Sequence, residues 1–150
     1  MTTHEFVPYL SVTEASEAIG FYSRVFEVEP YLRLDMPDGR VMHCEFRVDG
    51  ARFFLSAELP EHGGTPSPTH LGATTVAVHL YVEDCDAVVA RMAANGADVL
   101  MEPTDMFYGE RLARVRDPLG HEWGITTRLT EMTPEEIRTL TAKMFADASD

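Results

Sequence analysis

The chain has 150 residues, enough for one compact domain or for two half-size units that share a core. Asp and Glu number 25 against 12 Lys and Arg, giving a formal net charge of -13. Such a field repels nucleic-acid phosphates and anionic lipid headgroups, so neither nucleic acid nor a membrane surface is an expected partner, while a cationic small molecule is compatible with it.

Cys44 and Cys85 are the only cysteines, and their spacing suggests no zinc knuckle, redox CxxC motif or disulfide framework. Both read as buried thiols in a reducing compartment. The first residues, MTTHEFVPYL, lack a basic region followed by a long apolar stretch, and no later window is apolar enough to span a bilayer. A cytoplasmic location is expected.

The first element in chain order is an alternating strand that begins near Val7. Thr13 or Glu14 can cap a helix running to about Phe26, with Ala15, Ala18, Ile19, Tyr22 and Phe26 as its apolar stripe. Extended segments follow at Tyr31 to Met36, Val41 to Val48 and Arg52 to Ala57, separated by turns at Pro37-Asp38-Gly39 and Asp49-Gly50. Residues 1–58 thus read as a β-α-β-β-β module. Residues 59–72 are rich in Gly and Pro and read as a linker and pocket flap.

The pattern then repeats. A shift of 70 residues lays VPYLSVTEASEAIGFY, from Val7, over AVHLYVEDCDAVVARM, from Ala77, without a gap, and superposes Gly39 on Gly109 and Gly50 on Gly120. A strand from Ala77 to Val82 precedes a helix from about Asp84 to Ala94, stopped by Asn95-Gly96. Strands at Asp98 to Met101, Arg111 to Arg116 and Glu122 to Thr126 complete a second module over 73–128, with Asp117-Pro118-Leu119-Gly120 as its last turn. A tail spans 129–150, where Thr133 caps a helix that has Pro134, Glu135 and Glu136 in its first turn. Its stripe of Ile137, Leu140 and Met144 is expected to dock on the chain's own domain.

The repeat, the Phe21-Tyr22 pair of the first helix and the run RDPLGHEWG from Arg116 to Gly124 together resemble the vicinal-oxygen-chelate superfamily, the glyoxalase, bleomycin-resistance and ring-cleaving dioxygenase group. VMHCEF, GERLARVRDPLGHEWGI and the following T-P-E-E further resemble its PhnB-like branch. The resemblance covers about Phe6 to Thr127. It implies a mixed α/β (α+β) fold in which two βαβββ modules form a cup-shaped mixed sheet, here with a C-terminal helix added, and it implies a homodimer. In catalytic branches it implies a divalent metal held by His, Gln or Glu on the first and last strands.

Carried over residue by residue, the ligand positions fall on Val7, Phe54, Ala77 and Gly124, none of which offers a ligand atom. No metal and no other cofactor is therefore expected at the standard site. Strand alternation puts His79 and Glu122 each two residues from a vacant position and on one side of the sheet, and His43 and Glu45 on one face of another strand, so a displaced metal site stays open as an alternative.

The candidate pocket residues are Tyr9, His43, His79, Tyr108, Arg111 and Glu122. Tyr9 matches His79 under the repeat and reads either as a hydrogen-bonding ligand contact or as a Tyr at the wet end of the core. Arg111, if it points inward, would bind an anionic or carbonyl oxygen. Trp123 reads as helix-packing core, and His4, His62, His70 and His121 as surface, turn or flap residues. No catalytic residue is assigned.

Three functions follow. The first is a metal-independent protein that binds a small organic molecule, as the resistance-type relatives imply, with the acidic balance fitting a cationic one. The second is an enzyme of unassigned reaction using His79 and Glu122, with His43, in acid-base or displaced-metal chemistry. The third is a non-catalytic interaction protein.

Overall fold

A computed structural model describes residues 3–148. The first module comprises β1 (Tyr9–Val12), α1 (Ala15–Phe26), β2 (Leu32–Asp35), β3 (Val41–Val48) and β4 (Ala51–Ala57). A linker carrying the short helix α2 (Pro68–Leu71) leads to β5 (Ala77–Tyr81), α3 (Cys85–Ala94), β6 (Asp98–Asp105), β7 (Glu110–Arg116) and β8 (Glu122–Arg128), and α4 (Pro134–Asp147) closes the chain. The fold is mixed α+β: two βαβββ modules and a C-terminal helix.

The strands form two four-stranded sheets, in the orders β1-β4-β3-β2 and β5-β8-β7-β6. In each, the first strand runs parallel to the last and the other pairings are antiparallel. The duplication is written into the registers. Tyr9 lies opposite Phe54 as His79 lies opposite Gly124, whereas on the middle strand Cys44 opposite Leu55 is matched by Ala113 opposite Ile125. That middle strand is one residue out of step with the others, because the last hairpin turn is longer in the second module.

The helices form where their apolar stripes meet the sheets. The expected stripe of α1 is buried, together with Phe21 and Val25, and α3 buries Cys85, Val88, Val89 and Met92. Asp84 caps α3 by accepting the Ala87 N–H, whereas Glu14 precedes α1 without a side-chain capping bond. The two helices pack against each other as well as on their own sheets. Arg91 Nε donates to the Val25 carbonyl at 2.8 Å and Arg24 Nε to Asn95 Oδ1 at 2.6 Å, tying the modules at that seam.

Trp123, 1% exposed, sits on the helix side as expected, with its ring 5.7 Å from Tyr22 and 5.6 Å from both Phe26 and Phe53. One aromatic core thus serves both modules. Beside it, buried Asp117 accepts the Tyr22 hydroxyl at 2.5 Å and Trp123 Nε1 at 2.9 Å, while its other oxygen accepts the backbone N–H groups of Leu119 and His121. Burial, then the adjacent Asp117 carboxylate, hold the Tyr22 phenol well above its ordinary titration range.

Three expectations need correction. His121 closes the Asp117 turn but is buried, not at the surface, because that turn folds it back so that its Nε2 lies 2.9 Å from the Ser11 carbonyl. The strand expected to end at Met101 continues through Pro103 to Asp105; as an edge strand pairing only with β7, in an interrupted register, it tolerates the missing N–H. Finally, α4 starts as read, with Thr133 and Glu136 forming a reciprocal capping box, but none of its residues is buried, and Leu140 and Met144 are exposed. Local hydrogen bonds initiate this helix; Ile137 is half-buried beside Tyr108, Glu110 and Arg128, while Leu140 and Met144 stay exposed.

Candidate functional site

Each sheet packs one face on the helices and leaves the other open. On the open face of the first sheet, β1 and β3 bring Tyr9 and His43 together, with the Tyr9 hydroxyl 2.9 Å from His43 Nδ1. The Phe54 ring stands edge-on to both, at 5.6 Å from Tyr9 and 4.9 Å from His43. Residues 59–65 border this corner and, with Tyr9, Ser11, Met42, Ser56 and His62, wall a half-open cleft of about 320 Å³. The Ser11 hydroxyl donates to the Thr65 carbonyl across it. Among the described residues that line the cleft there are hydroxyls and an imidazole but no carboxylate.

The bordering segment is anchored at its far end. Glu58 accepts the Ser67 backbone N–H at 2.5 Å, Ser67 caps α2, and Thr69 Oγ1 donates to the Leu119 carbonyl at 3.0 Å. The Ser67 hydrogen bond holds the Glu58 carboxyl below its usual range. A depressed carboxyl contributes its stabilisation above the unfolded-state pKa and loses it as pH falls through the lower folded value. Hydrogen exchange over residues 59–72 is therefore expected to stay slow from neutral pH down to the ordinary Glu range of about 4.3 and to quicken only below it. In Glu58→Gln this acid-induced step should be absent.

On the second sheet, His79 Nε2 lies 2.5 Å from Thr126 Oγ1, and its ring covers Gly124 so closely that a Cβ there would come within 2.9 Å of His79 Nδ1. The Tyr81 hydroxyl donates to Glu110 at 2.9 Å, and the Arg128 guanidinium sits 4.3 Å from the Tyr81 ring centre. The Glu110 hydrogen bond raises the Tyr81 phenol. Tyr108 lines a separate cleft at the root of α4 with Glu110, Arg128 and Met132, and burial raises its phenol.

Both open faces carry a carboxylate between two guanidiniums. Glu45 lies 2.7 Å from Arg47 Nε and 3.6 Å from Arg52, and Glu122 lies 3.0 Å from Arg114 and 2.9 Å from Arg116. The hydrogen bond from Arg47 lowers Glu45, and that from Arg116, then Arg114, lowers Glu122. These two carboxylates are poor proton acceptors for a reacting group.

Of the candidate residues, Tyr9 and His43 meet directly. His79 and Glu122 share the open face of the second sheet, as alternation predicted, with Ala77 opposite Glu122 and His79 opposite Gly124. Arg111 stands apart from them: Nε lies 2.6 Å from Asp86 at the start of α3 and Nη1 2.7 Å from Asp105. Ser11, Ser56 and Thr126 were not singled out. Ser56 and Thr126 coincide under the 70-residue shift, which is the signal that finds them.

The metal ligand positions can now be tested. Phe54 packs on Tyr9 and His43, and the space over Gly124 holds the His79 ring. Val7 and Ala77 supply no donor atom. Among the described residues no three His, Cys, Asp or Glu side chains gather so as to hold an ion, and the residues present do not fit the divalent centre that the fold accommodates elsewhere.

The profile of the Glyoxalase/Bleomycin resistance protein/Dioxygenase superfamily matches residues 4–125. The chain belongs to that superfamily. An uncharacterized protein of Mycobacterium bovis is 36% identical over 133 residues, 87% of this chain and 88% of that protein. The crystal structure of TioX from Micromonospora sp. ML1 matches with a TM-score of 0.67 at 27% identity, over 85% of this chain and 100% of that one. A PhnB protein from Bacillus cereus shares the fold at 20% identity, with a TM-score of 0.62 over 83% of this chain and 98% of that one.

Proposed function

We propose that this superfamily member binds a small organic molecule on the open face of its first sheet, beneath residues 59–65, without the divalent metal used by catalytic relatives. The observation that carries this reading is the cleft of about 320 Å³ walled by Tyr9, whose hydroxyl lies 2.9 Å from His43 Nδ1. Its size falls within the range of roughly 300–1,000 Å³ typical of small-molecule sites. The net charge of -13 supports a cationic ligand, and the exposed Tyr9 ring supplies a π face for one without any carboxylate in the wall.

The open faces expose Tyr9, Tyr31, Leu32, Leu34 and Tyr81, which supports a homodimer in which apolar sheet surface is covered. Cys44 and Cys85 are free and buried, and burial pushes the Cys44 thiol up to about 11, which supports inert thiols in a reducing cytoplasm. Among the described residues no helix is long and apolar enough to cross a membrane.

Metal content of untagged protein by mass spectrometry, followed by calorimetry against a panel of cationic and aromatic compounds, tests the proposal. The expected result is negligible metal, one ligand per chain and at least a roughly tenfold loss of affinity in Tyr9→Ala, about 1.4 kcal/mol. Near-stoichiometric metal that falls in His79→Ala or Glu122→Gln would refute it.

A second reading, an acid-base enzyme, is favoured by the 2.9 Å contact between Tyr9 and His43 more than by His79, whose Nε2 is held by Thr126, and Glu122, whose two oxygens are held by Arg114 and Arg116. Turnover that collapses in His43→Gln and survives in Glu122→Gln would establish it.

A further inference from the structure

A half-open cleft of about 570 Å³ lies at the root of α4 and shares no lining residue with the one bordered by residues 59–65. Glu110 on β7 and Arg128 on β8 form its inner wall, directly opposite one another in the register and on the sheet face that carries Glu122. A cross-strand pair of opposite charges in that position would ordinarily close into an ion pair. Here each engages Tyr81 instead. The Tyr81 hydroxyl donates to Glu110 at 2.9 Å, and the Arg128 guanidinium sits over the Tyr81 ring, 4.3 Å from its centre. Among the described residues no carboxylate lies within 4.0 Å of Arg128, whereas Arg47, Arg52, Arg111, Arg114 and Arg116 each have one.

The cleft therefore presents two unlike charges side by side, with no ion pair between them. A guanidinium lying over a ring keeps the donors of its outer edge for a carboxylate, and a carboxylate that accepts one hydroxyl keeps lone pairs for an ammonium. Tyr108 adds a donor to the same wall: burial, then the Glu110 charge, raise its phenol, so it stays neutral. Glu131 stands on the tail side, where half-buried Met132 and Ile137 give an aliphatic surface. A ligand carrying only an anion would meet two carboxylates, and one carrying only a cation would meet the guanidinium. A dipolar ligand satisfies both. The superfamily profile matches as far as residue 125, so Arg128 and the tail residues of the outer wall lie beyond the matched segment.

We infer that this cleft is a second ligand site, selective for a small zwitterionic amino acid, with its carboxylate on Arg128, its ammonium on Glu110 and a compact aliphatic side chain against Met132 and Ile137. The site is separate from the one proposed at Tyr9 and does not rest on that reading. The chain's formal charge of -13 has little bearing on such a ligand, whose own charges sum to zero.

Full-length protein would be titrated by calorimetry with leucine and with its two truncated forms, isocaproate, which lacks the ammonium, and isoamylamine, which lacks the carboxylate. Leucine should bind at one site per chain and at least about tenfold more tightly than either. Arg128→Gln should reduce leucine to the level of the amine, and Glu110→Gln should reduce it to the level of the acid, because each variant removes the partner of one end only. A truncated form that binds as tightly as leucine, leucine binding unchanged in either variant, or the absence of saturable leucine binding would overturn the assignment. Arg128 is exposed, and Glu110→Gln keeps an acceptor for the Tyr81 hydroxyl, so neither variant removes a group on which the fold depends.

Discussion

Asp117→Ala is expected to cost about 3–5 kcal/mol and to bring both modules down in a single transition, measured by urea denaturation with Trp123 fluorescence and circular dichroism in parallel. The magnitude follows from what the carboxylate holds. Removing it strands the Tyr22 hydroxyl, the Trp123 indole N–H and the N–H groups of Leu119 and His121, and the two side chains are almost wholly buried. A buried donor without a partner costs about 1–3 kcal/mol, and the cavity adds to that. Tyr22→Phe removes one bond and leaves Asp117 its other three, so a smaller loss of about 1.5–3 kcal/mol is expected. A loss below 1 kcal/mol in Asp117→Ala would show that the seam between the modules is held by the aromatic packing and the Arg24 and Arg91 hydrogen bonds, with little from Asp117.

The second large effect is expected at Gly109. Gly39 and Gly109 coincide under the repeat and share nearly the same backbone conformation, with φ of +87° and +86°. At Gly39 a Cβ would meet nothing within 4 Å, whereas at Gly109 it would come within 2.7 Å of the Thr130 carbonyl oxygen and 3.2 Å of Met132 Sδ. The Gly109 carbonyl in turn accepts the N–H groups of Leu129 and Thr130, so the obstructing backbone cannot retreat without breaking those bonds.

Gly39→Ala should therefore cost only the left-handed strain of about 1 kcal/mol, and Gly109→Ala about 2–4 kcal/mol, a difference measurable by thermal unfolding of the two variants side by side. Equal losses would mean that the segment leading into α4 yields freely. The Tyr108 cleft, which shares Thr130 and Met132 with this contact, should be remodelled only in Gly109→Ala.

Local signals carried most of the fold. Val41 to Val48 was read to the residue because alternation and turn residues bound it on both sides, and α1 ends at Phe26 as its stripe predicts. The start of α4 was legible because a capping box is a local code, but the fate of its apolar stripe was not, since docking depends on surfaces far away in sequence. His121 escaped for a similar reason: its burial is created by the Ser11 carbonyl, a hundred residues earlier in the chain.

In the candidate site, the repeat pointed to Tyr9 and His79, and alternation put His79 and Glu122 on one face. Arg111 could not be placed that way, because nothing local distinguishes the face that meets Asp86 from the one that meets His79. The Gly- and Pro-rich composition of residues 59–72 reads as a linker and flap, but the corner of the sheet that residues 59–65 border and the close contact between His79 and Gly124 are tertiary features with no local signal.

The two arginine-flanked carboxylates show how the modules have drifted apart. In the first, Arg47 lies opposite Arg52 and the acid, Glu45, is two residues along the middle strand; in the second, Arg116 lies opposite Glu122, and Arg114 takes the place two residues along. The same three seats hold the same inventory, with the acid moved from the middle strand to the last. Charge is permuted between strands while its sum over the three seats is the same, so a substitution at any one seat is best judged by whether a neighbouring seat restores that sum.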